Sequence, residues 1–458
     1  MGHSRHPTAH KVFLDAPASP PRVVAHAGKI QGRAEGMRLW RGRPMIFCSP
    51  WFLVFSLAAA AAYLAVRRWY LLRLILLPIA SVVFYVHFAG VSGFAVMGAL
   101  SVFTYFAGLG LHAPGARRPW RLALCLSPAV IALLYFRYFN FLGDTAVQGL
   151  TLAGLTPPGA LRALLAAGAP AVKPLGISFF AFEFCHYLVD VYKGAEPVRN
   201  VVYFSIFALF YPRLASGPIV RFQQIVPQLK ALPPATHEDV FWGLSRIATG
   251  FAKKFILADP IVGVLPIFNP GNVLVGTDVL WLCLLLYVRI YMDFGGYCDM
   301  AIGLARLFGI RLPENFNFPF IASSPSEFWK RWHISLSTWI RDYIYIPLGG
   351  GRVSPVRKSL NLLFAMGLCG LWHGSSWNFV LWGVLHGLAL QIGHGLGAAC
   401  GWVDGRLAGC GAPARAWAVA SKGLGWVMTQ AFVSATWIVF FFPADSAWRM
   451  IGKITVWP

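Results

Sequence analysis

The sequence predicts an all-α polytopic membrane protein, and three observations carry that prediction. Of 458 residues, 57% are hydrophobic and only 12% are charged, whereas soluble globular domains carry about 25% charged residues. Mean hydropathy is +0.60. Apolar runs long enough to cross a bilayer recur along most of the chain, separated by short basic loops. The 36 Phe, 18 Trp and 15 Tyr suit lipid contact and interfacial belts.

A net charge of +22 would point to nucleic acid in a soluble protein. Here the bases sit mostly in short loops between apolar runs, where they set topology and touch anionic lipid. Membrane lipid, and no nucleic acid, is therefore the implied partner. The eight cysteines show no paired spacing and no zinc-spaced Cys/His set exists, so neither a disulfide framework nor a metal site is expected.

Residues 1–44 differ from the rest: they hold eight Lys/Arg, four His and no periodic apolar face. They read as a basic, disordered extension without the continuous apolar stretch of a secretory signal. Residues 45–458 form the transmembrane domain, opening with "MIFCSPWFLVFSLAAAAAYLAV" over 45–66. Further spans are expected over 70–89, 91–111 and 120–141. Arg67, Arg68 and Arg73 follow the first span, and Arg117, Arg118 and Arg121 follow the third, while "HFAGVSG" after the second has no Lys or Arg. The positive-inside rule then makes the loops after spans one and three cytoplasmic and starts the first span outside. That places the basic 1–44 segment on the disfavoured side, so it is either a late tolerated addition or lies ahead of a natural start at Met37 or Met45.

A Gly/Pro-rich stretch over 142–172 contains "GALRALLAAG", a short amphipathic piece suited to the membrane surface. A span over 174–194 carries Glu183 and His186, and apolar segments follow over 200–218, 238–258, 274–294 and 296–309. Residues 358–392 form a broken pair, and 417–443 the last clear span. The total is roughly ten spans plus re-entrant and interfacial pieces.

Two regions concentrate chemistry. In "SSPSEFWKRWHISLSTWIRDYIYIPLGG", Ser324 as N-cap, Pro325 at N1 and Glu327 at N3 predict a capping box. A helix continuing from there puts Trp329, His333, Leu336 and Ile340 on one face, with Lys330, Arg331, Arg341 and Asp342 around the rest. The plainer reading makes Lys330 and Arg331 interfacial anchors and His333 a core histidine. Arg289 and Asp293 are spaced for a helical ion pair, and Asp293 and Asp299 read as structural rather than catalytic. In "GLCGLWHGSSWNFVLWGVLHG", residues 367–387, "HGSS" falls near the middle of a run too long for one span, predicting a break. Ser375 or Ser376 is placed to cap the second half, while Gly370 and Gly374 permit close approach. A histidine at such a break is a functional candidate, and its near-neutral pKa suits it to take a proton from an attacking hydroxyl. His386, one turn past Trp382, reads as a packed or hydrogen-bonded partner. Without a G-x-S-x-G, Walker A or G-x-G-x-x-G motif, direct attack by a substrate hydroxyl on a thioester is favoured.

Five stretches, "PLGISFFAFEFCHYLVDVYKG", "LASGPIVRF", "DFGGYCDMAIGLARLFGIRLPENFNFPF", "SEFWKRWHISLSTWIRDYIYIPLGG" and "LWHGSSWNFVLWGVLHG", together resemble the membrane-bound O-acyltransferase (MBOAT) family. The branch resembled is that of bacterial alginate O-acetyltransferases, related to the D-alanyl transfer protein of teichoic acid modification. The resemblance implies a ring of tilted helices around a central funnel in the bacterial inner membrane. It places the family's catalytic histidine at His373 and its second motif position at His333, with Arg331, Trp372, Asp299 and Asn378 as funnel or substrate-binding candidates. It implies no bound cofactor, cytosolic acetyl-CoA as donor, an exopolysaccharide acceptor, and a periplasmic acetyltransferase and polymer synthase as partners. Arg213 and Ser216 depart from the family pattern, the 1–44 preamble is foreign to it, and the branch commonly continues past "MIGKITVWP". Two other readings stay open: a translocation component whose Asp293, Asp299 and Glu183 line a path, and D-alanyl transfer to teichoic acid.

Overall fold

The computed structural model describes residues 46, 49–113, 115, 118–168, 174–214, 217–268 and 275–456. The expected 1–44 extension with Met37 and the start candidate Met45, together with Arg117, Ser216 and residues 169–173 of the Gly/Pro-rich stretch, lie outside these residues. All regular structure among the described residues is helical.

Two helices come first: α1 (Pro50–Ala65), capped by the Ser49 hydroxyl, and α2 (Tyr70–Leu111). At about 1.5 Å per residue, α2 is far longer than the ~30 Å apolar core of a bilayer. Gly90 divides it with φ 70° and ψ 171°, a conformation open to glycine alone. The halves on either side of that kink are the two spans expected over 70–89 and 91–111. Next, α3 (Pro119–Leu133) leads through a π-helical turn, Leu134–Tyr138, into α4 (Phe139–Leu152). The surface piece follows as α5 (Gly159–Ala166), then α6 (Ile177–Tyr192) and the short α7 (Val201–Leu209).

After α8 (Phe222–Ala231) comes α9 (His237–Phe251), opened by a capping box between Thr236 and Asp239 and continued by a π-helical turn, Ala252–Ala258, into α10 (Asp259–Val264). The separate spans expected over 274–294 and 296–309 are in fact one helix, α11 (Gly276–Leu307). Gly295 and Gly296 do not break it. A Cβ on Gly296 would strike the Gly250 carbonyl of α9, so this glycine serves close helix packing instead.

The expected helix through His333 is two helices, α12 (Pro325–Arg331) and α13 (Ile334–Ile340). The pair expected over 358–392 is present as α14 (Pro355–His373) and α15 (Trp377–Leu407), parted at Gly374–Ser376. Two helices remain, α16 (Ala412–Phe441) and the amphipathic α17 (Ala444–Gly452).

By length and composition, five helical stretches among the described residues can cross a membrane: Tyr70–Leu111, Pro119–Leu152, Gly276–Leu307, Trp377–Leu407 and Ala412–Phe441. Other expected spans fall on shorter helices. Large apolar side chains such as Val54, Leu71, Ile79, Val91 and Phe106 point outward. The interior is packed with Tyr63, Phe84, Tyr187, Phe207, Tyr211 and Phe308. Apolar groups on both sides of a helix mean that its outer solvent is itself apolar. The chain is a multi-pass membrane protein.

Candidate functional site

The α14–α15 hairpin is closed by glycines. A Cβ on Gly370 would enter the Phe379 carbonyl, and one on Gly383 the Met366 carbonyl. Gly374, extended at φ −166° and ψ 154°, turns the chain under the Phe379 ring. The sequence allowed Ser375 or Ser376 as the cap of the second half. Ser376 occupies the N-cap position, but its hydroxyl makes no capping hydrogen bond.

A helix leaves its last carbonyls without intrahelical partners. Here they are met from the π-helical turn of α3–α4. Tyr138 Oη donates to the Leu371 carbonyl at 2.8 Å. Arg137 Nη2 donates to the carbonyls of Trp372 and His373 at 2.6 and 2.9 Å. Arg137 Nη1 donates to Ser178 Oγ of α6 at 2.7 Å. The final residue of α14, His373, is thus fixed through its backbone.

His333 is presented differently. The chain leaves α12 at Trp332, and His333 takes φ 42° and ψ 55°, left-handed geometry uncommon for a non-glycine residue. Asn315 pins this break: its carbonyl accepts from Ile334 N at 3.0 Å and its Oδ1 from Ser335 N at 3.1 Å. The face shared by Trp329, His333, Leu336 and Ile340 therefore does not exist, because the helical register is lost between them. At the start of α12, the Ser324 hydroxyl accepts from Glu327 N as expected, but Glu327 Oε2 accepts from Ser323 rather than Ser324.

The two breaks bring the imidazoles together across 40 residues of chain, with ring centroids 6.3 Å apart. They face a cavity of about 340 Å³ whose polar wall is Arg137, His333 and His373. Its apolar wall is Phe179, Phe294, Trp332, Trp372 and Trp437, with Ile290. Among the described residues, both ring nitrogens of His333 and Nε2 of His373 lack a hydrogen-bond partner. Phe294 meets the His333 ring edge-on at 4.7 Å, while Trp382 and Phe440 flank His373 at 5.3 Å. Aromatic rings make most of the wall, and these nitrogens are not taken up by a described protein group. At about 340 Å³ the cavity falls within the size range of small-molecule ligand pockets. A hollow of about 510 Å³ lined by Ile321, Val419, Lys422 and Trp426 lies elsewhere and holds no acid–base pair.

Of the other expected site residues, Trp372 lines the cavity. Arg331, Asp299 and Asn378 stand apart from the lining. Arg331 binds Glu327 and the Asn317 carbonyl. Asp299 is buried between Arg246 and Lys253, each 2.7 Å away. The Asn378 amide donates to the carbonyls of Val439 and Phe440. Asp293 turns to Lys254 at 2.8 Å, whereas the Arg289 guanidinium lies over Phe441. Glu183 pairs with Arg213, so the departure at 213 carries its own counter-charge. His386 meets Thr436 Oγ1 at 3.2 Å, and its Nδ1 has no hydrogen-bond partner among the described residues. Arg137 and Asn315 were missed. A lone arginine inside "CLSPAVIALLYFRYFNFLG" was the available signal for the first, and nothing local marked the second.

An all-helical membrane protein with paired histidines in an aromatic cavity has the make-up of an intramembrane group-transfer enzyme. The model of the membrane-bound O-acyltransferase family matches residues 191–399, which include both histidines. A probable alginate O-acetylase of Azotobacter vinelandii is 38% identical over 416 residues, covering 88% of this chain and 76% of the relative. The peptidoglycan O-acetyltransferase of Helicobacter pylori is 30% identical over 394 residues, covering 80% and 70%. The teichoic acid D-alanyltransferase of Bacillus subtilis is 31% identical over 234 residues, covering 47% and 58%. The chain belongs to the membrane-bound O-acyltransferase family and is an acyltransferase.

Proposed function

We propose that this protein moves an acetyl group from cytosolic acetyl-CoA toward an exported polysaccharide, with His373 as general base and His333 orienting the reactants. The observation that carries this reading is the pair of imidazoles with unclaimed ring nitrogens facing one aromatic cavity. His373 Nε2 takes the proton of the attacking hydroxyl as its oxygen bonds to the thioester carbonyl carbon. The C–S bond then breaks, and the proton passes to the departing thiolate. The names of the Azotobacter and Helicobacter relatives, an alginate O-acetylase and a peptidoglycan O-acetyltransferase, favour acetyl as the group and a polysaccharide as the acceptor. The acyl group reaches the polymer directly or through a periplasmic acetyltransferase that works beside a polymer synthase. In this reading about ten crossings of the bacterial inner membrane surround a central funnel.

The test is proteoliposomes given radiolabelled acetyl-CoA and polymer. Wild type releases CoA and labels the acceptor, while His373→Ala, folded and inserted, loses about 10²–10⁴-fold in rate. Near-wild-type labelling by His373→Ala overturns the assignment. Absence of CoA release by wild type overturns acyl transfer in favour of translocation.

A further inference from the structure

Arg137, part-buried, is the one permanently charged residue of the cavity wall. Among the described residues it has no carboxylate partner. Its bonds go to neutral acceptors: the Ser178 hydroxyl and the carbonyls of Trp372 and His373. Arg213, Arg246 and Arg306 each face an acidic side chain, whereas the buried Arg73, like Arg137, donates to a backbone carbonyl, that of Leu232. A cation in an apolar helix is costly and marks function more often than architecture. It also sits in a π-helical turn, Leu134–Tyr138, and such turns are rare and concentrate at functional sites.

The turn has a clear local effect. Residues 137 and 138 are consecutive, yet both reach the end of α14, where they satisfy three consecutive carbonyls at 371, 372 and 373. Nη2 donates to both carbonyls while Nη1 reaches the Ser178 hydroxyl, so the planar fork spans three acceptors on two elements. A cation also complements the negative end of the helix dipole. His373 is the last helical residue, the position where a helix otherwise frays. Its imidazole can face His333 across the cavity only while that terminus holds its place.

We infer that Arg137 is a positioning residue of the acyl-transfer reaction: it ties the π-helical turn and α6 to the end of α14 and so sets His373 against His333. This rests on the acyl-transfer reading. The guanidinium uses one of the two Nη1 hydrogens on Ser178 and both of those on Nη2, and because it stays protonated it does not take the substrate proton.

The experiment compares wild type, Arg137→Ala and Arg137→Lys in proteoliposomes at equal amounts of monodisperse protein, measuring CoA release. A misplacement near 1 Å costs about 10²-fold, so Arg137→Ala should lose about that factor in kcat with KM for acetyl-CoA within about threefold, and Arg137→Lys should recover only part. Added methylguanidine should restore part of the Arg137→Ala rate. An unchanged kcat in folded Arg137→Ala overturns the inference, as does a loss carried entirely by KM. If Arg137→Ala yields no folded protein, Tyr138→Phe and Arg137→Lys decide: lowered kcat at constant KM supports positioning, and unchanged kcat in both overturns it. Wild type that releases no CoA refutes the acyl-transfer reading itself, whereas active wild type with an equally active Arg137→Ala refutes only the inference.

Discussion

Two helix pairs in this protein are built on the same device and put to opposite uses. The α9–α11 and α14–α15 pairs each bring backbones together at glycines, Gly243 with Gly303 and Gly250 with Gly296 in one, Gly370 with Phe379 and Gly383 with Met366 in the other. Along α9–α11 and its π-helical extension, the charges are matched: Asp239 with Arg306, Asp299 with Arg246 and Lys253, Asp293 with Lys254. Around the α14–α15 break the titratable group is His373, which keeps a ring nitrogen without a partner among the described residues. The difference separates architecture from chemistry. A buried charge persists because its partner offsets its desolvation, whereas a buried imidazole left unpaired is free to act on a ligand.

Four substitutions can break or sharpen that contrast. The largest effect is expected from Gly370→Val and Gly250→Val, which both force a side chain into a facing carbonyl. Each should sharply reduce the yield of monodisperse protein, since overpacking costs about 1–3 kcal/mol and often more against backbone. Normal yield and thermal midpoint for either would show that its glycines are not needed for close approach. Next is Asp299→Asn. The Asp299 side chain is 4% exposed but its partners Arg246 and Lys253 are 28% and 26% exposed, so solvent screening holds the loss to about 1–3 kcal/mol, below the full cost of breaking a buried pair. A lowered thermal midpoint with unaltered kcat per folded molecule is the expected result. A fallen kcat would move Asp299 into the chemistry. The smallest effect belongs to His386→Phe, which gives up one hydrogen bond with Thr436, worth about 1 kcal/mol. Acyl transfer by that variant should stay close to wild type; a loss comparable to His373→Ala would make His386 a working partner.

Much of the architecture was legible because its signals are local. The kink at Gly90, the break after His373 and the cap at Ser324 follow from glycine, serine and proline chemistry within a few residues. His373 stood out by the same logic, as an imidazole at a helix break. Local rules misled at two places. Gly295–Gly296 looked like an interruption but serves packing against Gly250. The capped helix from Ser324 was expected to run through His333, whereas Asn315, eighteen residues earlier, unwinds it there.

Chain composition and spacing alone determined that this protein is helical, that it lives among apolar groups on both sides of its helices, and that His373 is its chief candidate for acid–base work. Those properties depend on hydrophobicity, on helix-breaking residues and on the titration of one side chain, all readable over short windows. Only the tertiary structure decided which polar residues are spent on one another and which remain open. The bond from Arg137 to the His373 carbonyl joins residues 236 positions apart, and no periodicity carries information over that distance. The approach of His333 to His373, the pairing of Asp299, and the aromatic cavity all arise from packing, where the cost of leaving a polar group unmatched selects its neighbour.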